Sequence, residues 1–400
     1  MRRKWRIATE EEILDGKTTD VYFKRTEEVL RREGVNPLVY AEITVSGMPE
    51  GLDWGVSAGI DDVITLFQDK NVDLYGLREG RVFSPRAKSG VKIPVLQIVG
   101  HYADFAVLET PLLGFMCHTS GMVSKTARIR KACGDRTLLS FGARRTHPAI
   151  TPQVEYAAYI GGCDGVSCIL GAELLDMDAS GTMPHALIIA FQDQVKAWTA
   201  FDKDLPDDIP RIALADTYLD EVVESIMAAE NISKLTGVRL DTPGSRKGDF
   251  KRIIQEVRWE LDIRGFTDVK LFISGGLDAE KISELGDTPI AGFGVGGAIS
   301  NSPAIDFAMD VVAIHTDGEW KPAAKRGKFS GRKIVWQCPQ CLEMSVTQWN
   351  ADIPTCYCGA GKMQKATELL LEKGSRLKPQ STPTDIRTYV LEQVSRLKIS

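Results

Sequence analysis

Short apolar segments alternate with polar, helix-like stretches over the middle of the chain, from Thr137 to about Ser300. Each segment has the length of a buried strand, and their alternation with helical spacers predicts successive βα units and a parallel sheet. Several segments end in Asp, Arg, Thr or Gly, as strands do at the functional face of a barrel. We therefore expect a (β/α) barrel over residues 113–300. Its predicted strand segments are LLSFGARR, GCDGVSCIL, HALIIAF, RIALADTY, TGVRLDTPG, VKLFISGG and AGFGVGG.

The flanking regions have a different pattern. Residues 1–112 mix strand-like and helical segments, which predicts an N-terminal α+β sandwich domain, and we expect residues 300–330 to complete it. Residues 331–400 are expected to form a small C-terminal module with a terminal helix over 384–400. Strands are predicted over 38–46, 72–77, 94–100 and 102–108, and helices over 62–69 and 109–130.

Composition is that of a soluble globular protein, with 43% hydrophobic and 26% charged residues in 400. The net charge of −5 argues against a general nucleic-acid binder. The charged N-terminus lacks the apolar core of a signal peptide, and no apolar run approaches the roughly 20 residues of a membrane span. We therefore expect a cytoplasmic protein with neither a nucleic-acid nor a membrane partner.

Four of the eight cysteines lie in one short stretch with the pattern C-x2-C-x14-C-x-C. A CxxC turn directs two thiolates onto one ion, and a second pair completes a tetrahedral Zn²⁺ site. The second pair is one residue shorter than usual, but Gly359 and Gly361 allow a tight turn. We predict a structural zinc site, with iron as the main competitor. Its ligands are Cys338, Cys341, Cys356 and Cys358.

Glycines follow two successive predicted strands within residues 269–300. Gly275-Gly276 follows the first strand, and Gly296-Gly297 closes the cluster after the second. Glycine at the end of a strand lets backbone N–H groups approach an anion without interference from Cβ. The tandem predicts a phosphate site of the kind that barrels build after their last strands. A dinucleotide fold is disfavoured, because the G-x-G-x-x-G match lies late in the series and does not open the first βαβ unit.

Polar side chains at the predicted strand ends suggest a phosphorylated substrate with bound Mg²⁺. Arginine binds phosphate in bidentate fashion, and aspartate can hold ribose hydroxyls or Mg²⁺. A lone Arg–Asp pair would be read as structural, but convergence with the glycine turns favours a site. The set is Arg144, Arg145, His147, Asp164, His185, Asp216, Arg239 and Asp241.

Seven motifs lie along the chain in this order: Thr19-Asp20-Val21-Tyr22, Phe141-Gly142-Ala143-Arg144-Arg145, Gly162-Cys163-Asp164-Gly165-Val166-Ser167, Ser180-Gly181-Thr182-Met183-Pro184-His185-Ala186, Arg239-Leu240-Asp241-Thr242, Ser274-Gly275-Gly276-Leu277-Asp278 and Gly292-Phe293-Gly294-Val295-Gly296. Together they resemble nicotinate phosphoribosyltransferases, of the type II phosphoribosyltransferase class. A basic segment, KFSGRK, also resembles the family's segment after the barrel, and the match spans about residues 18–335. The cysteine module lies outside the common family pattern, although some archaeal-like members carry it.

The resemblance implies that nicotinate and phosphoribosyl pyrophosphate give nicotinate mononucleotide and pyrophosphate, in NAD biosynthesis. It further implies coupling to ATP hydrolysis, with ATP as a co-substrate that transiently phosphorylates His185. The alternative for His185 is a buried, hydrogen-bonded imidazole. The family forms homodimers with shared active sites, so the resemblance implies a homodimer. A hexamer built as a trimer of dimers is the alternative assembly.

The resemblance also assigns roles to particular residues. Phe141 and Tyr22 would sandwich the pyridine ring, with Tyr22 supplied by the neighbouring subunit. Asp164 would contact the ribose or the pyrophosphate. Arg144, Thr182, Arg239 and Asp241 would line the pocket of the base and ribose, and Gly275, Gly276, Gly296 and Gly297 would hold the 5′-phosphate.

Four alternatives stay open at the level of sequence. Quinolinate phosphoribosyltransferase shares the fold but lacks the motif that ends in His185, and a nicotinamide-specific relative differs by a few contacts. A phosphosugar isomerase or synthase would explain the glycines but not the other motifs. A zinc-module nucleic-acid binder would explain the cysteines and the basic residues 325–333, but the acidic net charge opposes it.

Overall fold

The structure is a computed structural model that describes residues 3–50 and 52–397. The chain divides into two compact units, one made of the described residues up to Ser124 together with those from Pro303 onward, the other of Lys125–Ser302. Helices of the described residues are α1 (Glu10–Leu14), α2 (Val21–Arg32), α3 (Ile60–Phe67), α4 (Tyr102–Phe105), α5 (Glu109–Cys133), α6 (Thr151–Ile160), α7 (Ile169–Leu174), α8 (His185–Phe191), α9 (Gln194–Asp204), α10 (Glu221–Asn231), α11 (Phe250–Asp262), α12 (Ala279–Leu285), α13 (Gly297–Ser300) and α14 (Pro383–Arg396). Short 3-10 helices cover Ala106–Leu108, Ala143–Arg145 and Pro148–Ile150. Within the described ranges, no helix combines the length and apolarity needed to cross a membrane.

The strands fall into two main sheets and three small ones. In chain order they are β1 (Leu38–Gly47), β2 (Gly55–Val56), β3 (Val72–Gly76), β4 (Val82–Phe83), β5 (Pro94–His101), β6 (Thr137–Ser140), β7 (Gly165–Val166), β8 (Arg211–Leu214), β9 (Leu235–Leu240), β10 (Lys270–Ile273), β11 (Gly292–Val295), β12 (Asp306–Thr316), β13 (Glu319–Pro322), β14 (Lys333–Gln337), β15 (Met344–Gln348), β16 (Thr355–Cys356), β17 (Gly361–Lys362), β18 (Gln364–Lys365), β19 (Glu368–Glu372) and β20 (Ser375–Arg376).

The first unit is built on an antiparallel sheet with the strand order β13-β12-β1-β5-β3-β19-β20. Apolar residues of β1, β3 and β5 pack with those of α3 and α5 in one buried cluster. Strand β19 pairs with β3, so the segment beyond residue 331 adds strands to the sheet that the N-terminal residues begin. Terminal helix α14 is fixed there by Gln393, whose side chain accepts from the Val82 N–H and donates to the Gly80 carbonyl, both at 2.9 Å.

Most of the elements predicted for this unit are confirmed, including strands β1, β3 and β5 and helices α3 and α5. The predicted terminal helix is confirmed as α14 up to Arg396, and residues 398–400 of that prediction lie outside the described residues. The strand predicted over 102–108 is wrong, because these residues form α4 and a 3-10 helix. The Asn36 side chain accepts the Ala103 N–H at 2.9 Å, and the Tyr102 ring packs edge-on against Phe105. A short apolar run carries no periodicity that would have distinguished a helix from a strand.

The second unit contains a parallel sheet with the strand order β7-β6-β11-β10-β9-β8. Fully buried residues such as Phe293, Ile273, Leu240 and Trp198 form its core with the surrounding helices. Because all its strands run in one direction, the loops at their carboxyl ends meet at one edge. This arrangement brings segments that are distant in sequence to a common site.

The predicted (β/α) barrel is confirmed only in part, because β7 and β8 are the edges of the sheet and no strand among the described residues joins them. The segment HALIIAF, predicted as a strand, forms α8. Its residues separate into a helical buried and exposed face, with Ile188 buried while Ile189 is 55% exposed. The parallel sheet therefore forms a partial barrel, and His185 begins a helix and does not precede a strand.

Candidate functional site

A cavity of about 580 Å³ lies at the carboxyl ends of the parallel strands. This volume is within the range of roughly 300–1,000 Å³ that is usual for small-molecule sites. The cavity combines an aromatic ring, three arginines, a histidine, an aspartate and two glycine turns. Its lining residues are Phe141, Ala143, Arg144, Arg145, Ser167, Gly181, Thr182, Met183, Pro184, His185, Ala186, Arg239, Asp241, Ser274, Gly275, Gly276, Gly294, Gly296 and Gly297.

The His185 imidazole is held from one side and faces carboxylates on the other. Its Nδ1 lies 3.0 Å from Oγ1 of Thr217, which follows β8. Its Nε2 lies 3.8 Å from Oδ1 of Asp216 and 3.9 Å from Oδ2 of Asp241. The ring side chain is 37% exposed, so it remains accessible from the cavity. An imidazole oriented in this way can exchange a proton or accept a group from a bound ligand.

Asp216 is a buried carboxyl group, with its side chain only 4% exposed. Its Oδ2 accepts the Asp241 N–H at 2.7 Å, whereas its buried Oδ1 has no hydrogen-bond partner among the described residues. Burial raises the pKa of Asp216 from 3.8 to about 6, and the nearby Asp241 carboxylate adds to that shift. Asp216 therefore provides a negative charge beside His185 at neutral pH, and that charge is costly to keep buried.

Glu224 fixes the loop that presents Thr217. This fully buried carboxylate on α10 accepts the N–H groups of Thr217, Tyr218 and Leu219 at 2.7 to 2.9 Å. Sequence reasoning missed both Thr217 and Glu224. The available signal was Asp220, a residue type that caps helix starts, followed one turn later by Glu224.

Phe141 and Arg239 form one wall of the cavity. A Cβ atom added to Gly294 would lie 2.2 Å from a carbon of the Phe141 ring, so the ring packs directly on that glycine. The Arg239 guanidinium carbon lies 5.9 Å from the centroid of the same ring. Burial lowers the pKa of Arg239, which remains charged at neutral pH because its ordinary pKa is so high. A flat aromatic face beside a cation suits a planar ring that bears a carboxylate.

Two buried polar atoms at this wall lack partners within the part of the chain that the structure describes. They are Oγ1 of Thr182 and Nε of Arg239. Arg239 makes one hydrogen bond, from Nη2 to the Met183 carbonyl at 3.1 Å. Buried polar groups are normally satisfied, so these two atoms indicate groups that a ligand would bind.

The two glycine turns present backbone groups to the cavity. The N–H groups of Gly275, Gly276, Gly296 and Gly297 find no acceptor among the described residues. Gly275 has φ +90°, a left-handed conformation that favours glycine, and a Cβ there would lie 2.9 Å from Oδ1 of Asp241. Free N–H groups on adjacent turns form a concave site for an anion.

Two lysines bind the carbonyl groups of the first glycine turn. Lys247 Nζ donates to the Gly275 carbonyl at 2.8 Å, and Lys281 Nζ donates to the Gly276 carbonyl at 2.6 Å. Partial burial, together with the neighbouring Lys281, lowers the pKa of Lys247. Both cations strengthen the attraction of this turn for phosphate, and the sequence carried no particular signal for them.

Ten of the predicted ligand-contacting residues line the cavity, and two do not. Tyr22 lies on α2 of the first unit, where it is 57% exposed, and its expected contribution to a neighbouring subunit's site stays a prediction. Asp164 immediately precedes β7, at the amino end of the sheet, where its carboxylate pairs with Arg130 and accepts the Leu138 N–H. Asp164 is thus outside the lining of the cavity, and its predicted contact with ribose or pyrophosphate stays a prediction. The ten are Phe141, Arg144, Thr182, His185, Arg239, Asp241, Gly275, Gly276, Gly296 and Gly297.

The four clustered cysteines converge in the first unit. Their sulfur atoms all lie within 4.8 Å of one another. Cys338 and Cys358 are 3.6 Å apart at Sγ, as are Cys341 and Cys356. Gly359 and Gly361 have φ +86° and +85°, so the shortened second turn uses the conformation that glycine permits.

Comparison with known families and proteins agrees with this geometry. Residues 20–120 match the N-terminal domain and residues 122–310 the C-terminal domain of the quinolinate phosphoribosyl transferase family models. The nicotinate phosphoribosyltransferase pncB2 of Mycobacterium tuberculosis is 29% identical over 353 residues, covering 80% of this chain and 74% of that protein. The nicotinate phosphoribosyltransferase of Bacillus subtilis is 31% identical over 278 residues, covering 66% of this chain and 54% of that protein.

Two solved structures extend the comparison to the whole chain. The nicotinate-nucleotide pyrophosphorylase of Pyrococcus furiosus is 46% identical, with a TM-score of 0.94 and all of both chains covered. The human nicotinic acid phosphoribosyltransferase is 17% identical, with a TM-score of 0.72 over 95% of this chain and 94% of that one, which shows a shared fold. The curated relatives named nicotinate phosphoribosyltransferase, together with the two family models, place the chain in the nicotinate phosphoribosyltransferase family of type II phosphoribosyltransferases.

Proposed function

We propose that this protein transfers the phosphoribosyl group of phosphoribosyl pyrophosphate to nicotinate, giving nicotinate mononucleotide and pyrophosphate for NAD biosynthesis. The curated relatives named above carry this activity in their names. The observation that carries the proposal is a single cavity that joins an aromatic–arginine wall to free N–H groups on two glycine turns. One end suits a pyridine carboxylate and the other a 5′-phosphate.

The residues of the cavity fit the demands of the reaction. The pyridine nitrogen attacks C1 of the ribose while the bond from C1 to pyrophosphate breaks, and positive charge develops on the ribosyl centre. Phe141 and Arg239 position the ring, and Asp241 lies where a carboxylate can hold ribose hydroxyls. Arg144 and Arg145 are free to stabilise the departing pyrophosphate. No general base is required, because the pyridine nitrogen of nicotinate carries no proton.

His185 supports nicotinate over quinolinate as the substrate. The decarboxylating reaction of quinolinate releases CO₂, which makes it favourable without a second energy source. Transfer to nicotinate gains from coupling to ATP, and His185 has the position of a phosphate acceptor between Thr217 and two carboxylates. We propose that the imidazole attacks the γ-phosphorus of ATP, that ADP leaves, and that water later cleaves the phosphohistidine.

Two metals belong to the proposal. Cys338, Cys341, Cys356 and Cys358 would hold a structural Zn²⁺, since a tetrahedral ion with Zn–S bonds of about 2.3 Å places its sulfurs about 3.8 Å apart. The observed separations of 3.6 Å fit that requirement. All four positions are then filled by protein, so the ion stabilises the module and takes no part in transfer. Mg²⁺ would enter with the phosphates of its substrates, as it commonly does.

A substrate panel tests the proposal. Purified protein with Mg²⁺, ATP and phosphoribosyl pyrophosphate should release pyrophosphate with nicotinate and not with quinolinate. His185→Ala should lose the stimulation by ATP while it retains basal transfer, and His315→Ala, in the first unit, should behave as the wild type. Turnover of quinolinate with release of CO₂ would overturn the choice of substrate. Unchanged ATP stimulation in His185→Ala would overturn the phosphohistidine.

A further inference from the structure

A second cavity, of about 270 Å³, lies within the first unit beside the cysteine module and helix α14. Four cationic side chains line it, and Glu392 is the single carboxylate among its lining residues. This excess of positive charge contrasts with the net charge of −5 for the whole chain. The lining residues are Arg78, Arg81, Gln337, Cys338, Pro339, Leu342, Gln364, Lys365, Tyr389, Glu392, Gln393 and Arg396.

Arg81 is the most buried of these cations, with its side chain 14% exposed. Its Nη1 donates to Oε1 of Gln337 at 2.8 Å, and its ion pair with Glu368 is long, at 3.5 Å. Its Nε is buried and has no hydrogen-bond partner among the described residues. Burial lowers the pKa of Arg81, which reflects the cost of keeping this charge away from water. A buried charge of this kind is normally balanced by an anion.

Unlike Arg81, which has the long ion pair with Glu368, the other three cations are left without a balancing carboxylate. Within the described ranges, Arg78, Lys365 and Arg396 form no ion pair. The Arg78 guanidinium stacks on the Tyr389 ring, 3.5 Å from its centroid, and Arg396 donates to the Pro339 carbonyl at 3.0 Å. These contacts fix the positions of both guanidinium groups without neutralising their charge.

Neighbouring amides hold Arg81 in a fixed orientation. Gln337 accepts from Arg81 and donates to the Val82 carbonyl at 3.0 Å. Gln393, on α14, accepts the Val82 N–H on the same strand. The terminal helix and the cysteine module are thus connected to one short strand, and Arg81 lies next to it. A guanidinium group that is already oriented loses little entropy when it binds an anion.

We propose that this cavity binds a small phosphate-bearing anion, of the size of pyrophosphate or a short phosphate monoester. Guanidinium groups bind phosphate oxygens in bidentate fashion, and several converge here. The volume is below the usual range for drug-sized ligands, which disfavours a complete nucleotide. The site lies in a different unit from the transfer cavity and shares no residue with it.

Isothermal titration of the full-length protein with inorganic pyrophosphate, without Mg²⁺, tests this site. The wild type should bind two pyrophosphates per chain, one in each cavity. Arg81→Gln should lower the affinity of the second cavity for pyrophosphate by roughly tenfold or more, because it removes hydrogen bonds from a charged donor. Arg145→Gln should weaken pyrophosphate binding in the transfer cavity, where Arg144 and Arg145 are placed to bind pyrophosphate, and should leave the second cavity unaffected. A single site in the wild type, abolished by Arg145→Gln and untouched by Arg81→Gln, would overturn the proposal.

Two further variants keep the test decisive if Arg81→Gln fails to fold. Arg396→Gln changes an exposed residue of the same cavity and should also weaken the second site, with an unchanged melting temperature. Arg86→Gln is the matched control, since it removes an exposed arginine outside the cavity and should bind both pyrophosphates as the wild type does. Equal binding by Arg396→Gln and Arg86→Gln would contradict the assignment.

Discussion

The contact between Gly294 and Phe141 allows the base-binding wall to be tested without substituting Phe141 or Arg239. In Gly294→Ala, the new Cβ would lie 2.2 and 2.4 Å from two ring carbons of Phe141, whereas ordinary contact begins at 3.4 Å. The ring must therefore move by about 1 Å or more. Loss of aromatic stacking costs about 0.5–1.5 kcal/mol, and a misplacement of about 1 Å in a positioned group can reduce the rate by about 100-fold. We expect kcat/KM for nicotinate to fall by at least about 2-fold, from the lost stacking, and by up to about 100-fold if the ring is misplaced.

The assay is nicotinate mononucleotide formation at saturating phosphoribosyl pyrophosphate, for Gly294→Ala, Phe141→Ala and the double variant. Because the alanine acts through the ring, it should cost little once the ring is gone, so the two effects should be strongly non-additive. Gly181→Ala is the matched control, since Gly181 lines the same cavity and its Cβ would meet nothing within 4 Å. Additive losses in the double variant would refute the reasoning. Melting temperatures separate this effect from overpacking, which costs about 1–3 kcal/mol.

Three further predictions concern other parts of the molecule. Thr217→Val removes the hydrogen-bond partner of His185 Nδ1 and should lower phosphoenzyme formation from γ-labelled ATP by about 2- to 13-fold. Thr217→Ser keeps the hydroxyl and should label as the wild type does. Equal labelling of the two variants would contradict the positioning role of Thr217. In the folded state the pKa of Asp216 is raised to about 6, so the folded protein binds more protons than the unfolded chain between about pH 4 and 6. Wild-type stability should therefore fall as the pH rises through this window, and denaturant titrations of Asp216→Asn should show a weaker decline. Cys341→Ser should reduce bound zinc, measured by mass spectrometry, and lower the melting temperature; full zinc content would refute the four-thiolate site.

Much of the transfer cavity could be predicted because parallel strands bring their carboxyl ends to one edge. Phe141, Asp241 and Gly275 follow strands that were recognisable from their apolar runs, Arg239 lies near the end of β9, and the sheet places all four around one cavity. The sequence could not show where a very short strand begins and ends, and so it could not show whether a nearby polar residue lies at its amino or its carboxyl end. Asp164 precedes β7, a strand of two residues, and its carboxylate lies at the amino end of the sheet and does not line the cavity.

Contacts between distant segments of the chain also could not be predicted from the sequence. Thr217 meets His185 across 32 residues, and Arg81 meets Gln337 across 256. Neither contact leaves a periodic or compositional trace, because each depends on how the sheets are assembled. The helix at HALIIAF was missed for a local reason, since seven mostly apolar residues fit a buried strand as well as a helix.

A crystal structure of the protein with nicotinate mononucleotide would test the central claim most directly. The account predicts that the pyridine ring lies against the face of Phe141, with its carboxylate within hydrogen-bond distance of Arg239. It also predicts that the 5′-phosphate accepts hydrogen bonds from the N–H groups of Gly275, Gly276, Gly296 and Gly297. A phosphate bound away from both glycine turns, or a ring that does not contact Phe141, would contradict it.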